Sequence, residues 1–327
     1  MKWLYSFFCL AILSAGIQAE ARGPAVPDYP LDKVAENVYV IHGPLQMPNP
    51  ENQGFMNNPG IVLTDAGVVI LDPGASVQSG EMVLRAVSTL TKQPVVAVFN
   101  SHVHGDHWLG NQAVRAAWPK AAIYGHPEMI SLIAAGEGDS WVKLMDQLTE
   151  GKTTGTTVVA PDKAVNHGDE IRVGKHTFRI HHYGKAHTTT DIMVEVVEPG
   201  VVFTGDNVLN GRVTRLDDGD IAGNIQALTE ILKTNATVYV PGHGMSGDRS
   251  VVDSMHTYLD TLYTSVAALF EEGLSDFEMK DSISAKLQDY ADWEDFDVQL
   301  GKHISFAYLK VDCLLYTSDA ADDDYTV

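Results

Sequence analysis

The sequence predicts an α/β protein, a four-layer αββα sandwich with a C-terminal helical extension. Three observations carry that prediction. Short apolar runs of strand length alternate with helix-length segments, the order expected of sheets covered by helices. Several of the runs end in His or Asp, which places polar side chains along one sheet edge, where open sheets tend to put their sites. Residues 249–309 read as mostly helical, with Met255, Leu259, Leu262, Val266 and Leu269 at helical spacing. With 327 residues, 45% apolar content, five Trp and ten Phe, the chain can build a sizeable core.

Residues 38–41, 60–64 and 68–71 read as successive strands, the last two joined by the turn Asp65-Ala66-Gly67. Residues 82–90 are expected to be helical, and Val95 opens another strand. Residues 108–118 read as helix and 121–124 as strand, and residues 128–148 read as one or two helices interrupted at Gly136-Glu137-Gly138. Strands return over 170–203, residues 221–232 form an amphipathic helix, and a last strand starts at Val238. The Pro-rich stretch 43–50 is expected to be a loop at the mouth of a site, with Leu45 and Met47 able to touch a substrate. No repeat of solenoid period is present.

Directly after the apolar run 95–98 comes Asn100-Ser101-His102-Val103-His104-Gly105-Asp106-His107, with three imidazoles and a carboxylate in six residues. Neutral imidazole and carboxylate are ordinary ligands for zinc and related divalent ions. Further ligand types stand where other strands should end: His187 after Gly184, Asp206 after Val201-Val202-Phe203-Thr204-Gly205, and His243 after Val240-Pro241-Gly242. A surface cluster of His would not predict these distant partners. Gly105 is expected to lend the loop backbone freedom.

The ordered set, spread over residues 34–244, resembles the metallo-β-lactamase-fold hydrolase superfamily and its leading His-x-His-x-Asp-His motif. The resemblance implies that His102, His104 and His187 bind one metal and that Asp106, His107 and His243 bind a second, with Asp206 bridging. It implies two zinc ions, although an all-N/O set also accepts iron or manganese. Asp72, in Val69-Ile70-Leu71-Asp72-Pro73-Gly74, is expected to support the ligands from behind. His42, His126, His167, His176, His181 and His182 receive no role from the pattern and are read as structural or exposed.

The implied chemistry is hydrolysis. Two divalent ions sharing a water lower its pKa from about 15.7 toward 7 and supply hydroxide for attack on a carbonyl. Asp106 and Asp206 are the expected catalytic carboxylates, with Asp206 also placed to take a proton. β-Lactamases of the resembling kind usually carry Cys or Ser where this chain has Asp206, whereas glyoxalase II-type thioesterases and lactonases carry Asp. The expectation is therefore an ester, thioester or lactone hydrolase acting on a small molecule, with β-lactam hydrolysis as the alternative. Exported relatives that resemble quinoprotein-relay components supply a reading of another class, an accessory metal protein with an unknown protein partner.

The formal charge is −21, and no Lys/Arg cluster is visible near the metal-type residues. That argues against nucleic-acid substrates, whose phosphates call for a basic surface. Lys2, the apolar stretch 3–17 and Ala19 read as a cleaved secretory signal over residues 1–19, too short for a stable membrane anchor, so the product is expected in a periplasm or secreted. A catalytic domain over 30–248 and a helical extension over 249–312 complete the expected organisation. Residues 313–327 lack a helical stripe, resemble translated adapter sequence and are expected to be foreign to the native chain. Removing the four Asp after Cys313 takes −21 to −17, and removing Lys2 with the signal gives −18, so the acidity survives. With Cys9 and Cys313 both gone, the remainder has no thiol for a disulfide or a ligand.

Overall fold

The structure, a computed structural model, describes residues 22–322. The expected signal segment and residues 323–327 lie outside the described residues. Seven strands form the first sheet in sequence order: β1 (Asp32–Ala35), β2 (Val38–Val40), β3 (Gly60–Thr64), β4 (Gly67–Leu71), β5 (Val95–Phe99), β6 (Ala122–Gly125) and β7 (Lys163–Ala164). The first four pair antiparallel, and β4 to β7 run parallel. The second sheet has β8 (Glu170–Val173), β9 (His176–His181), β10 (Met193–Val196), β11 (Val201–Leu209) and β12 (Val238–His243). Here β8 to β11 are antiparallel and β11 and β12 parallel.

Alternation along the strands builds the layers. In β4, Val69 and Leu71 face the second sheet and meet Phe178, Val194 and Phe203, whereas Val68 and Ile70 face outward. The Phe99 and Phe178 rings stack across the sheets at 5.3 Å. A two-residue side-chain period makes this register unambiguous, because a slip by one residue would turn the apolar set to the wrong face. Helices α1 (Val77–Leu90) and α3 (Asn111–Ala117) cover the first sheet through Met82, Val83, Val87 and Val114. Outside the second sheet lie α6 (Ile221–Ile231), α7 (Arg249–Glu271), α8 (Asp276–Lys286) and α9 (Phe296–Asp322). Met255, Leu259, Leu262 and Val266 of α7 share one core with Val202, Leu209 and Tyr239, so the C-terminal helices pack on the sandwich.

Several boundaries differ from expectation. α1 starts five residues before Met82, because Ser76 and Ser79 form a capping box that the polar first turn hides. The helix expected over 108–118 is two, α2 (Gly105–Trp108) and α3, broken at Leu109-Gly110. The interruption near Gly136 is present: α4 (Pro127–Leu132) and α5 (Gly138–Leu148) flank a wide turn at Ile133–Glu137, with Gly136 at φ 118°. α9 runs as backbone helix from Phe296 to Asp322, with no Pro or Gly to stop it after Cys313. Among the described residues no helix is long and apolar enough to cross a membrane.

Candidate metal centre

β5 delivers its chain end to the site, and two buried pairs fix the loop after it. Asn100 and Asn111 exchange amide hydrogen bonds at 2.7 and 3.2 Å. Asp72, at the end of β4 with φ 47°, accepts from Ser101 N at 2.7 Å and from Ser101 Oγ at 2.6 Å. Its Oδ2 also accepts from His107 Nδ1 at 2.9 Å, so it does back a ligand-type imidazole. α2 then places Asp106 and His107 on one turn. Gly105 is needed for space, not for an unusual φ: a Cβ there would lie 2.8 Å from Cβ of Trp141.

β11 does not end at Asp206, as the sequence suggests, but runs to Leu209 past a register shift that aims the carboxylate inward. Gly242 of β12 passes so close that a Cβ would lie 1.9 Å from Asp206 Oδ1. His243 ends β12, and the side-chain amide of Asn58 donates to the Pro241 and Gly244 carbonyls around it, at 2.8 and 2.7 Å. His187 lies in the loop between β9 and β10.

All seven residues converge. His102, His104, His187 and Asp206 bring ligand atoms within 4.8 Å of one another, and Asp106, His107 and His243 form a second such group. Asp206 joins the two: Oδ2 lies 3.3 Å from His243 Nε2, 3.6 Å from His187 Nε2 and 4.0 Å from His102 Nε2, while Oδ1 lies 3.1 Å from His107 Nε2. Asp106 Oδ2 lies 3.3 Å from His107 Nε2 and 3.2 Å from His243 Nε2.

The hydrogen bonds on the outer side of each ring decide which nitrogen offers a lone pair. His243 Nδ1 donates to the Met56 carbonyl at 2.8 Å, and His107 Nδ1 donates to Asp72. Because Ser101 Oγ spends its proton on Asp72, His102 Nδ1 donates to that oxygen at 3.0 Å. His187 Nδ1 donates to Thr214 Oγ1 at 3.2 Å, which in turn points to the Asp206 carbonyl at 3.4 Å. His104 is the opposite case: Nε2 donates to Asp218 Oδ2 at 3.2 Å, leaving Nδ1 facing His187. Five lone pairs thus point to one space, each ring held in its tautomer from behind. His102 Nε2, His107 Nε2 and Asp206 Oδ1 are buried without an aligned hydrogen-bond partner among the described residues, and a divalent cation would satisfy all three.

The electrostatics agree. Burial pushes the Asp106 and Asp206 carboxyls up, but the facing His107 and His243 outweigh it and hold both well below the usual range. Burial pushes the His243 imidazole down, yet Asp206 and Asp106 lift it to about 9, and His107 is likewise raised. Burial drives His187 down to about 3, with His104 adding to it and Asp206 opposing. The two buried carboxylates thus favour positive charge in this space, which a divalent cation provides.

None of the six other histidines named from the sequence joins these groups. His42 bridges Asp32 and Ser246, His181 bridges Tyr183 and Glu195, and His182 donates to the Asp191 carbonyl. His126 stacks on His182 at 4.3 Å, and His167 accepts from the His182 amide. Sequence reasoning missed Thr214 and Asp218, which sit between β11 and α6 without any motif. The sequence shows no Lys/Arg cluster near the metal-type residues, yet the fold brings Arg212 and Arg215 to line the cleft over the site. Arg212 is buried and spends its charge on Asp295 at 2.7 and 2.9 Å, while it also touches Met47 Sδ.

A buried, two-part N/O donor set on an αββα sandwich lies under an open cleft and could hold divalent metal. The chain belongs to the metallo-beta-lactamase superfamily, whose family model matches residues 53–243. It is similar to the hydroxyacylglutathione hydrolase of Synechococcus sp., 24% identical over 213 residues, covering 64% of this chain and 72% of that relative. The enzyme of the same name from Nostoc sp. is 25% identical over 238 residues, covering 71% and 82%. Among solved structures, a metallo-beta-lactamase from Pontibacter korlensis superposes with TM-score 0.58 at 20% identity, over 71% of this chain and 98% of that one. The stereoselective inverting sec-alkylsulfatase Pisa1 from Pseudomonas sp. gives TM-score 0.67 at 16% identity, over 86% of this chain and 50% of that one. Both structural likenesses concern the fold. The chain is a metal-dependent hydrolase.

Proposed function

We propose that the protein is an exported dizinc hydrolase of acyl compounds, with thioesters foremost and esters and lactones in the same class. The observation that carries this is Asp206, which faces His102, His107, His187 and His243 at once. An Asp at that position matches the general hydrolase pattern, and the curated relatives are named for hydrolysis of a glutathione thioester. A bound pair of divalent cations supplies Lewis acidity and a hydroxide nucleophile near neutral pH.

The chain's own contribution is positional. His102, His104 and His187 would hold one cation, Asp106, His107 and His243 the other, and Asp206 both. Ser101, Asp72, Thr214, Asp218 and the Met56 carbonyl would keep each ring's proton away from the cations. Asp206 Oδ1 is placed to take a proton from the attacking water. Zinc suits this N/O set, and the leader pattern at residues 1–19 supports export.

The test is a panel of thioesters, lactones, esters, cephalosporins, phosphodiesters and sulfate esters with the metal-loaded full chain and Asp206→Ala. Acyl substrates alone should turn over, and the variant should lose at least about 100-fold. Preferential cleavage of cephalosporins would overturn the acyl-hydrolase reading. No turnover together with a stable protein partner would favour an accessory metal protein.

A further inference from the structure

The cleft over the metal residues is lined by both apolar and charged side chains. One wall is α5, where Trp141, Leu144, Met145 and Leu148 recur at i, i+3, i+4 and i+7, so they form a single stripe along the helix. Met47 and Pro48 of the 43–50 loop line the same cleft. The stripe begins at the metal site, since the Trp141 ring lies 5.1 Å from the His104 ring. Met145 and Trp141 pack into the core beneath α5, but Leu144 and Leu148 stay 40% and 39% exposed. Charged groups line the same cleft, with Asp218 bound to His104 and Arg215 held through Nε to Asp217 at 3.2 Å, its side chain 47% exposed.

From this lining we infer that the substrate is amphiphilic, with an unbranched apolar acyl chain of about eight carbons, matched to the roughly 10 Å of helix from Trp141 to Leu148, along α5 and a polar leaving group that Arg215 recognises. The inference rests on the acyl-hydrolase reading and names its substrate class. Water leaves the Leu144–Leu148 surface when the chain binds, so each added methylene strengthens recognition. A fully buried methylene is worth up to about fourfold. A groove that covers one side of the chain should give about twofold, hence about 60-fold from acetyl to octanoyl.

The experiment measures kcat/KM of the metal-loaded full chain for N-acetylcysteamine thioesters from acetyl to decanoyl. It is repeated with Leu144→Glu and Leu148→Glu, exposed helix positions where Glu keeps the fold, and with Phe277→Glu on α8 as a distant exposed apolar control. In parallel, calorimetry follows binding of the non-hydrolysable amide analogues of the acetyl and octanoyl compounds. The octanoyl-to-acetyl ratio should rise at least about tenfold, collapse in both α5 variants and persist in Phe277→Glu. Thioester turnover with a flat ratio, or a ratio that either α5 variant leaves intact, overturns the inference while the hydrolase reading stands. If no thioester is cleaved, the hydrolase reading fails. Octanoyl-amide binding that depends on Leu144 and Leu148 would then uphold the groove, and its absence would sink it too.

Discussion

Asp72→Asn isolates the part of the site that holds no metal itself. The carboxylate accepts three hydrogen bonds, two from Ser101 and one from His107 Nδ1. Asn tolerates the left-handed backbone at φ 47° and, with its one oxygen on Ser101 N, keeps the loop anchored. Its amide nitrogen then faces His107 Nδ1, and two donors cannot pair. His107 must turn its Nδ1 lone pair outward and carry its proton on Nε2, the atom that faces Asp106 and Asp206. A ligand lone pair disappears without any change to a ligand. Loss of such an outer partner costs about 10- to 100-fold in metal affinity, or about 1.4–2.7 kcal/mol. The drop should fall on the site built from Asp106, His107 and His243, and competition against a chromophoric chelator resolves the two stepwise constants. Both constants within about twofold of the parent would refute the tautomer argument.

Three further substitutions probe the geometry. Thr214→Val removes the acceptor of His187 Nδ1 with little change of volume, so affinity at the other site should fall about tenfold; an unchanged titration contradicts the assigned bond. Gly242→Ala drives a methyl group to 1.9 Å from Asp206 Oδ1, and turnover should fall at least about tenfold while circular dichroism stays native, since the carboxylate gives way before β12 does. His303 is buried, with Nδ1 on Tyr258 Oη, and burial pushes it from 6.5 down to about 4. Between those values only the unfolded chain binds the proton, so this residue contributes a loss of stability as pH falls from 6.5 to 4, about 3 kcal/mol in all. His303→Phe should flatten the urea-midpoint slope in that window, whatever the offset caused by leaving Tyr258 unpaired; an unchanged slope contradicts the shift.

Much of the fold was legible because it is written in local alternation. In β4 and β5 the apolar residues divide between two faces at a two-residue period, and each strand is followed by a helix-length segment. The ligand-type residues were legible because four lie in one run and the others stand at or near strand ends. What escaped depends on long-range contact. The shift that carries β11 past Asp206 answers to the neighbouring β12, and the two-residue β7 exists only as a partner of β6. Arg212 reads as an isolated cation until the fold brings Asp295 to it across 83 positions. Thr214 and Asp218 carry no motif, since their roles come from where a loop passes the backs of His187 and His104. The α5 stripe was visible as a helix, but only the fold reveals that one face of it borders the cleft.

The central claim is that seven side chains form one dinuclear centre shared through Asp206. Metal content per chain, measured by mass spectrometry after zinc loading and exhaustive dialysis of the full chain and of Asp206→Ala, tests it most directly. The account predicts about two ions per chain in the parent and fewer than about one in the variant, with hydrolysis lost in step. A parent that retains a single ion, or a variant that still holds two, would contradict it.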